Sequence, residues 1–187
     1  LSAIEKLKKG IQVSTDAMIS HAMRTLLGAC YLASGQLKEA QRPLEEVMDY
    51  SEKHGFEIAG TISQAMEGTV LISEGDLKRG MSLYKNAMRV FHERKNLYRY
   101  AIGNHLMAMV YSRIAQGGER KKDISFYMKN IGFLIKTVPF AYKKAEGHFN
   151  IAIKTTKEIG ARSHLGRAYL ELGKLHKAKG KKEKARE

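Results

Sequence analysis

Apolar residues return at three- and four-residue steps along almost the whole chain, the pattern of helices that each bury one face. Met18, Ala22, Met23, Leu26, Leu27, Cys30 and Tyr31 trace one such stripe, opened by an N-cap signal at Ser14-Thr15-Asp16 and closed at Gly35. A partner helix from Leu37 to Lys53 turns Ala40, Leu44, Val47 and Met48 inward, and Pro43 within it costs the hydrogen bond to the Glu39 carbonyl and predicts a bend. The next pair carries Phe56, Ile58, Ile62, Ala65, Met66, Val70 and Ile72, then Leu77, Met81, Tyr84, Ala87, Met88 and Phe91. A further helix begins near Leu97, shows Ile102, Leu106, Met107, Met109, Val110, Tyr111 and Ile114, and stops at Gln116-Gly117-Gly118. Asp123 to about Thr137 keeps helical spacing again, and Pro139 opens a long helix bearing Ala145, Phe149, Ala152, Ile153 and Ile159 before Gly160 ends it. Residues 1–13 keep the spacing only at Ile4, Leu7 and Ile11, so they read as the end of a preceding helix. No alternating β-branched run competes, and the expected class is all-α.

Small residues impose a longer period on these helices. Ala40 with Gly68, Gly80 with Ala108, and Ala145 with Gly173 each lie 28 positions apart, and Leu27-Gly28-x-x-Tyr31 recurs 40 residues later as Glu67-Gly68-x-x-Leu71 and then as Met107-Ala108-x-x-Tyr111. Antiparallel helices approach closely only where side chains are short, so Gly28 with Ala40, Gly68 with Gly80, Ala108 with Ala145 and Gly173 with Ala185 are the expected crossings, with Tyr31 and Tyr111 packed beside them. Three of these pairs are 12 residues apart, whereas Ala108 and Ala145 are 37 apart, so about 25 residues are inserted between the helices of the third repeat. The expected layout is residues 1–13 as the end of a preceding repeat, then repeats at 14–54, 55–95, 96–160 with an insertion over about 117–141, and 161–187. Because the sequence opens without methionine and stops midway through an apparent second helix, it reads as part of a larger protein.

Composition narrows the function classes. No apolar run approaches the roughly 18 residues of a membrane span and no signal-peptide core is present, so a soluble, cytoplasmic chain with no membrane partner is expected. Cys30 is the single cysteine and lies on an apolar stripe, which suits packing better than redox chemistry. The net charge of +14 permits an acidic partner, but nine cations against three carboxylates fall between Arg162 and Glu187. The excess is therefore largely a local lysine face, and nucleic acid is the rival rather than the leading partner.

Catalytic chemistry finds no support in the residue patterns. A phosphate-binding Gly-x-x-x-x-Gly-Lys-Ser/Thr loop is absent, and Gly173 to Gly180-Lys181 has the wrong spacing. His21, His54, His92, His105, His148, His164 and His176 form no pair at metal-ligand spacing, and Cys30 has no local base to activate it. No catalytic, metal or cofactor residue is assigned.

The Leu-Gly-x-x-Tyr motif, the turn glycine and the following alanine resemble the tetratricopeptide repeat over nearly the whole chain, with a period longer than that family's usual roughly 34 residues. Departures are the absent tryptophan, Glu67 in place of leucine, Gly80 in place of alanine and the absence of a closing proline. Segments 130–140, 144–153, 157–160 and 168–180 resemble the carboxy-terminal repeat region of multidomain bacterial adenylate/guanylate cyclases. The resemblance implies an α-solenoid of antiparallel helix pairs in a right-handed superhelix, with an inserted helix in the third repeat. It also implies a non-catalytic scaffold in bacterial signalling, contacting a protein, a peptide or upstream domains of its own chain. The alternatives are a nucleic-acid-binding solenoid and the repeat domain of an ATPase-type transcription activator.

First helices line the concave face of such a superhelix, which by register makes a groove of Ala22, Thr25, Ala29 and Leu32, then Ile62, Ala65, Thr69 and Ile72, then Ile102, His105, Met109 and Arg113. This lining lacks a lysine and asparagine set for clamping a carboxylate, so an apolar or helical ligand is expected. In the insertion, Phe126, Tyr127, Phe133 and Phe140 exceed one buried stripe. The inserted helix is either an extra core layer or a docking face, the latter including self-association; it could also cover the groove.

Overall fold

A computed structural model describes residues 2–117 and 124–186. The elements are α1 (Ala3–Val13), α2 (Ala17–Ala33), α3 (Leu37–His54), α4 (Glu57–Ser73), α5 (Leu77–Glu93), α6 (Leu97–Ala115), α7 (Ile124–Thr137), a 3-10 turn (Val138–Phe140), α8 (Ala141–Glu158) and α9 (Arg162–Ala178). No strand occurs among the described residues, and the protein is all-α. No helix among them is long and apolar enough to cross a membrane.

Local chemistry sets the helix ends. Asp16 caps α2 by accepting from the Ile19 amide at 2.9 Å, and Asn96 caps α6 by accepting from Arg99 at 3.3 Å. Ser2 and Glu5 form a reciprocal capping box at the start of α1, which continues through Gly10. Left-handed residues close the helices at a strict 20-residue interval, Gly35, Gly55 and Gly75 followed by Lys95 at φ 54°. Lys95 is the only positive-φ residue other than glycine among the described residues. Its turn bonds, Lys95 N–H to the His92 carbonyl and Asn96 N–H to Phe91, repeat those of Gly75 to Ile72 and Asp76 to Leu71.

Several boundaries differ from the sequence expectation. α3 itself keeps its expected course through the buried Pro43. The inserted helix begins at Ile124, with Gly118 and Asp123 outside the described residues, and Pro139 lies in the 3-10 turn, one turn before α8. Residues 182–186 form a turn rather than the first turns of a second helix. Even so, a Cβ at Gly173 would lie 3.3 Å from the Ala185 carbonyl oxygen, so this small-residue crossing survives without the helix.

Two compact units make up the chain, residues 1–90 and 91–187. In the first, α1 packs on α2, α2 on α3, and α4 on both α2 and α3. Its core gathers Leu27, Tyr31, Ala40, Leu44 and Val70, with Leu32, Leu37, Met66 and the α1 residues Ile4, Leu7 and Ile11 packed against it. Fully burying a side chain such as Leu44 or Val70 contributes about 1.5–3 kcal/mol. Gly28 faces Leu44 across the α2–α3 contact, and a Cβ there would come within 2.5 Å of it. Gly68 and Gly80 meet backbone to backbone, each presenting its carbonyl oxygen where the other's Cβ would stand. Arg24 of α2 and Arg42 of α3 bind the two oxygens of Glu46 at 2.7 and 2.9 Å.

In the second unit α6 packs along α8, α9 covers both, and the 3-10 turn leans on α6, α7 and α8. Ala108 and Ala145 are fully buried, as short side chains in a close helix contact should be. Tyr111 stacks on His148 at 5.5 Å, and the His148 Nδ1 donates to the buried Asn104 Oδ1 at 2.8 Å, which ties α6 to α8 by a polar bond inside the core.

Candidate functional site

The twelve residues expected to line a groove divide sharply. In the first unit Thr25 is buried, its hydroxyl donating to the His21 carbonyl at 3.1 Å and lying 3.5 Å from the Ser63 hydroxyl of α4. Leu32 leans on the core, and Ile72 faces the Gly80 backbone. Thr25 is a packing residue, and Leu32 and Ile72 are half-buried against these neighbours. Ala22 is exposed, while Ala29, Ile62, Ala65 and Thr69 are half-buried, and the Thr69 hydroxyl donates to the Ala65 carbonyl of its own helix.

In the second unit Ile102, His105 and Met109 converge on a cavity of about 220 Å³, while the exposed Arg113 lies one turn beyond it. Ala101 and Leu106 complete the α6 wall. α8 supplies Ala152 and Thr156, and α9 supplies His164, Arg167 and Ala168. The floor is apolar because small residues face one another: Ala101, Ala152 and Ala168 are buried to about 1% exposure and leave a gap that larger side chains would fill. Leu106 remains 41% exposed at the edge.

Polar groups around this cavity are engaged by their own helices or lie at its rim. Thr156 donates to the Ala152 and Ile153 carbonyls at 2.7 and 3.0 Å, so its hydroxyl is committed to its own helix. Burial holds the His105 imidazole below its ordinary pKa, and Arg167 and His164 reinforce this against the opposing Glu171 carboxylate. At neutral pH His105 is therefore an uncharged ring, set edge-on to Phe149 at 5.7 Å. His164 lies 3.0 Å from the Tyr98 hydroxyl with the rings 5.4 Å apart. Arg167 brings an exposed guanidinium to the rim. The site thus offers an apolar hole with one cation at its mouth.

All seven histidines adjoin an aromatic ring, His21 and His54 on Tyr50, His92 on Tyr100, and His176 on Tyr142 joining the three already described. No group of three or more His, Cys, Asp or Glu among the described residues is placed to hold a metal ion. The lysine face is partly engaged as well: Lys179 and Lys181 stand over the Tyr142 ring at 5.8 and 4.6 Å, and Lys174 pairs with Glu171 at 2.7 Å. No protein-family model matches the chain, and no curated protein matches it in sequence.

Sequence reasoning reached the α6 wall of the cavity and missed the rest. Thr156, His164, Arg167 and Ala168 lie 47 or more residues beyond Met109, and no local spacing links them to it. The excess of small residues on α8 and α9 is the one signal they leave.

Proposed function

We propose that this chain is a non-catalytic protein-interaction module of tetratricopeptide-like helix pairs, whose second unit captures an apolar side chain of a peptide or protein segment. The observation that carries the reading is the convergence of Ile102, His105 and Met109 on one apolar cavity with helices α8 and α9 as its far walls. About 150 Å³ suffices for a benzene-sized group, so 220 Å³ accepts one leucine, methionine or phenylalanine side chain rather than a cofactor. The backbone-to-backbone contact of Gly68 and Gly80 supports helix pairs of this kind. On the resemblance of segments 130–180, the parent is a cytoplasmic bacterial adenylate/guanylate cyclase, in which the module relays partner or intramolecular contacts to upstream domains.

Selection of a peptide library on the chain tests the binding reading. The expected ligands share one bulky apolar anchor, and Leu106→Glu weakens them by about tenfold or more at unchanged helicity. Peptides that bind equally well to Leu106→Glu overturn it. The parent is tested by reading the gene: an upstream frame without cyclase or ATPase coding overturns the cyclase assignment and leaves the peptide result untouched.

A further inference from the structure

Helix α7 is folded with its apolar face outward. Asn130 is 1% exposed and Thr137 4%, with Phe126, Phe133 and Leu134 half-buried beside them. On the opposite face Ile124, Met128, Ile131, Ile135 and Val138 are 51–78% exposed. Spacings of four, three and four residues put Ile124, Met128, Ile131 and Ile135 on one seam of α7, the arrangement that presents knobs to a facing helix, and Val138 follows it in the 3-10 turn. Tyr127 at 44% and Phe140 at 59% extend the same surface.

We propose that this seam is a self-association surface, on which α7 of a second copy of the chain docks. Area favours a partner of this size. At these exposures the seven side chains present on the order of 800 Å², which matches what each partner contributes to a stable interface. Charge favours a second copy over a foreign helix. Flanking positions in coiled coils carry the acidic and basic residues that select a partner, whereas the flanks here are Ser125 and Gly132 on one side and Tyr127 and Leu134 on the other. Lys129 and Lys136 project further round the helix, so two copies of the seam meet without opposing cations. A Cβ at Gly132 would meet nothing within 4 Å, which leaves room for close approach on that flank. The proposal does not depend on the peptide-binding cavity, whose residues lie on α6, α8 and α9.

Sedimentation of the chain from sub-micromolar to hundreds of micromolar concentration tests it. A concentration-dependent dimer is expected, and the double variant Ile131→Glu/Ile135→Glu weakens dimerisation by on the order of a hundredfold while retaining the wild-type helicity. A second readout uses Met128→Cys in a Cys30→Ser background with a short bismaleimide. Dimer cross-links are expected there, and none at Lys143→Cys on the exposed part of α8. A wild-type chain that sediments as a monomer throughout, or a double variant that dimerises as well as wild type, overturns the proposal.

Discussion

Replacing Gly80 by alanine isolates the contact on which the pairing of α4 and α5 depends. The new Cβ would stand 2.6 Å from the Gly68 carbonyl oxygen, 2.7 Å from Ile72 Cγ1 and 2.9 Å from the Ile72 backbone nitrogen. Two of those three atoms are backbone, so no rotamer change relieves the clash, and the helices must separate by most of an ångström. Overfilling a packed contact in this way costs about 1–3 kcal/mol. Alanine is the better helix former by about 1 kcal/mol, which offsets part of the loss. Because two of the close atoms are backbone, the cost falls in the upper part of that range, about 2–3 kcal/mol, and the net expectation is a destabilisation of about 1–2 kcal/mol, read as a lower urea midpoint at unchanged slope in the transition of the unit containing α4. Gly147→Ala is the control: a Cβ there meets nothing within 4 Å, so the helix-propensity gain of up to about 1 kcal/mol appears undiminished in the other unit. A Gly80→Ala protein as stable as wild type would refute the close approach.

Other outcomes follow from the same geometry. Glu67 is buried with Oε2 unpartnered, and burial, with Glu45 and Glu74 adding, raises its pKa. Its penalty is absent below the unfolded-state pKa and complete above the raised one, so Glu67→Gln should stabilise the chain by about 1 kcal/mol at neutral pH and little in acid, by urea unfolding. A gain of equal size at both pH values would count against a charge penalty. Lys95→Gly, which removes a left-handed strain of about 1–2 kcal/mol, should raise the thermal midpoint, and a fall would contradict the strain. Pro43→Ala should stabilise α3 by about 1 kcal/mol, since interior proline costs about 3 kcal/mol and its lost buried ring returns part of that. Calorimetry that detects no gain would show the proline to be fully accommodated.

The helices were legible because each buries one stripe: Leu27, Tyr31, Ala40, Leu44 and Val70 carry the helical period in sequence and form one core in space. The 20-residue turn spacing was half hidden, since Lys95 stands where glycine marks the other turns and its conformation has no sequence signature. Groove reasoning met its limit at Thr25, which is buried beside Ser63 of α4, because periodicity locates an apolar or small face without saying which neighbour covers it. In α7 the same limit ran the other way. Ile124, Met128, Ile131 and Ile135 look like core positions, yet Asn130 and Thr137 face inward, Asn130 satisfying its amide on the Phe126 carbonyl at 2.9 Å. The cavity was legible on α6 alone, because its other walls come from helices distant in sequence.

The most direct test of the interaction reading is a methyl spectrum of the chain labelled at isoleucine and methionine, titrated with a library-selected peptide. The account predicts saturable shifts at Ile102 and Met109, next to the cavity, with the methyls of Ile4 and Ile11 on α1 unmoved. Saturable binding that leaves Ile102 and Met109 unshifted would contradict it.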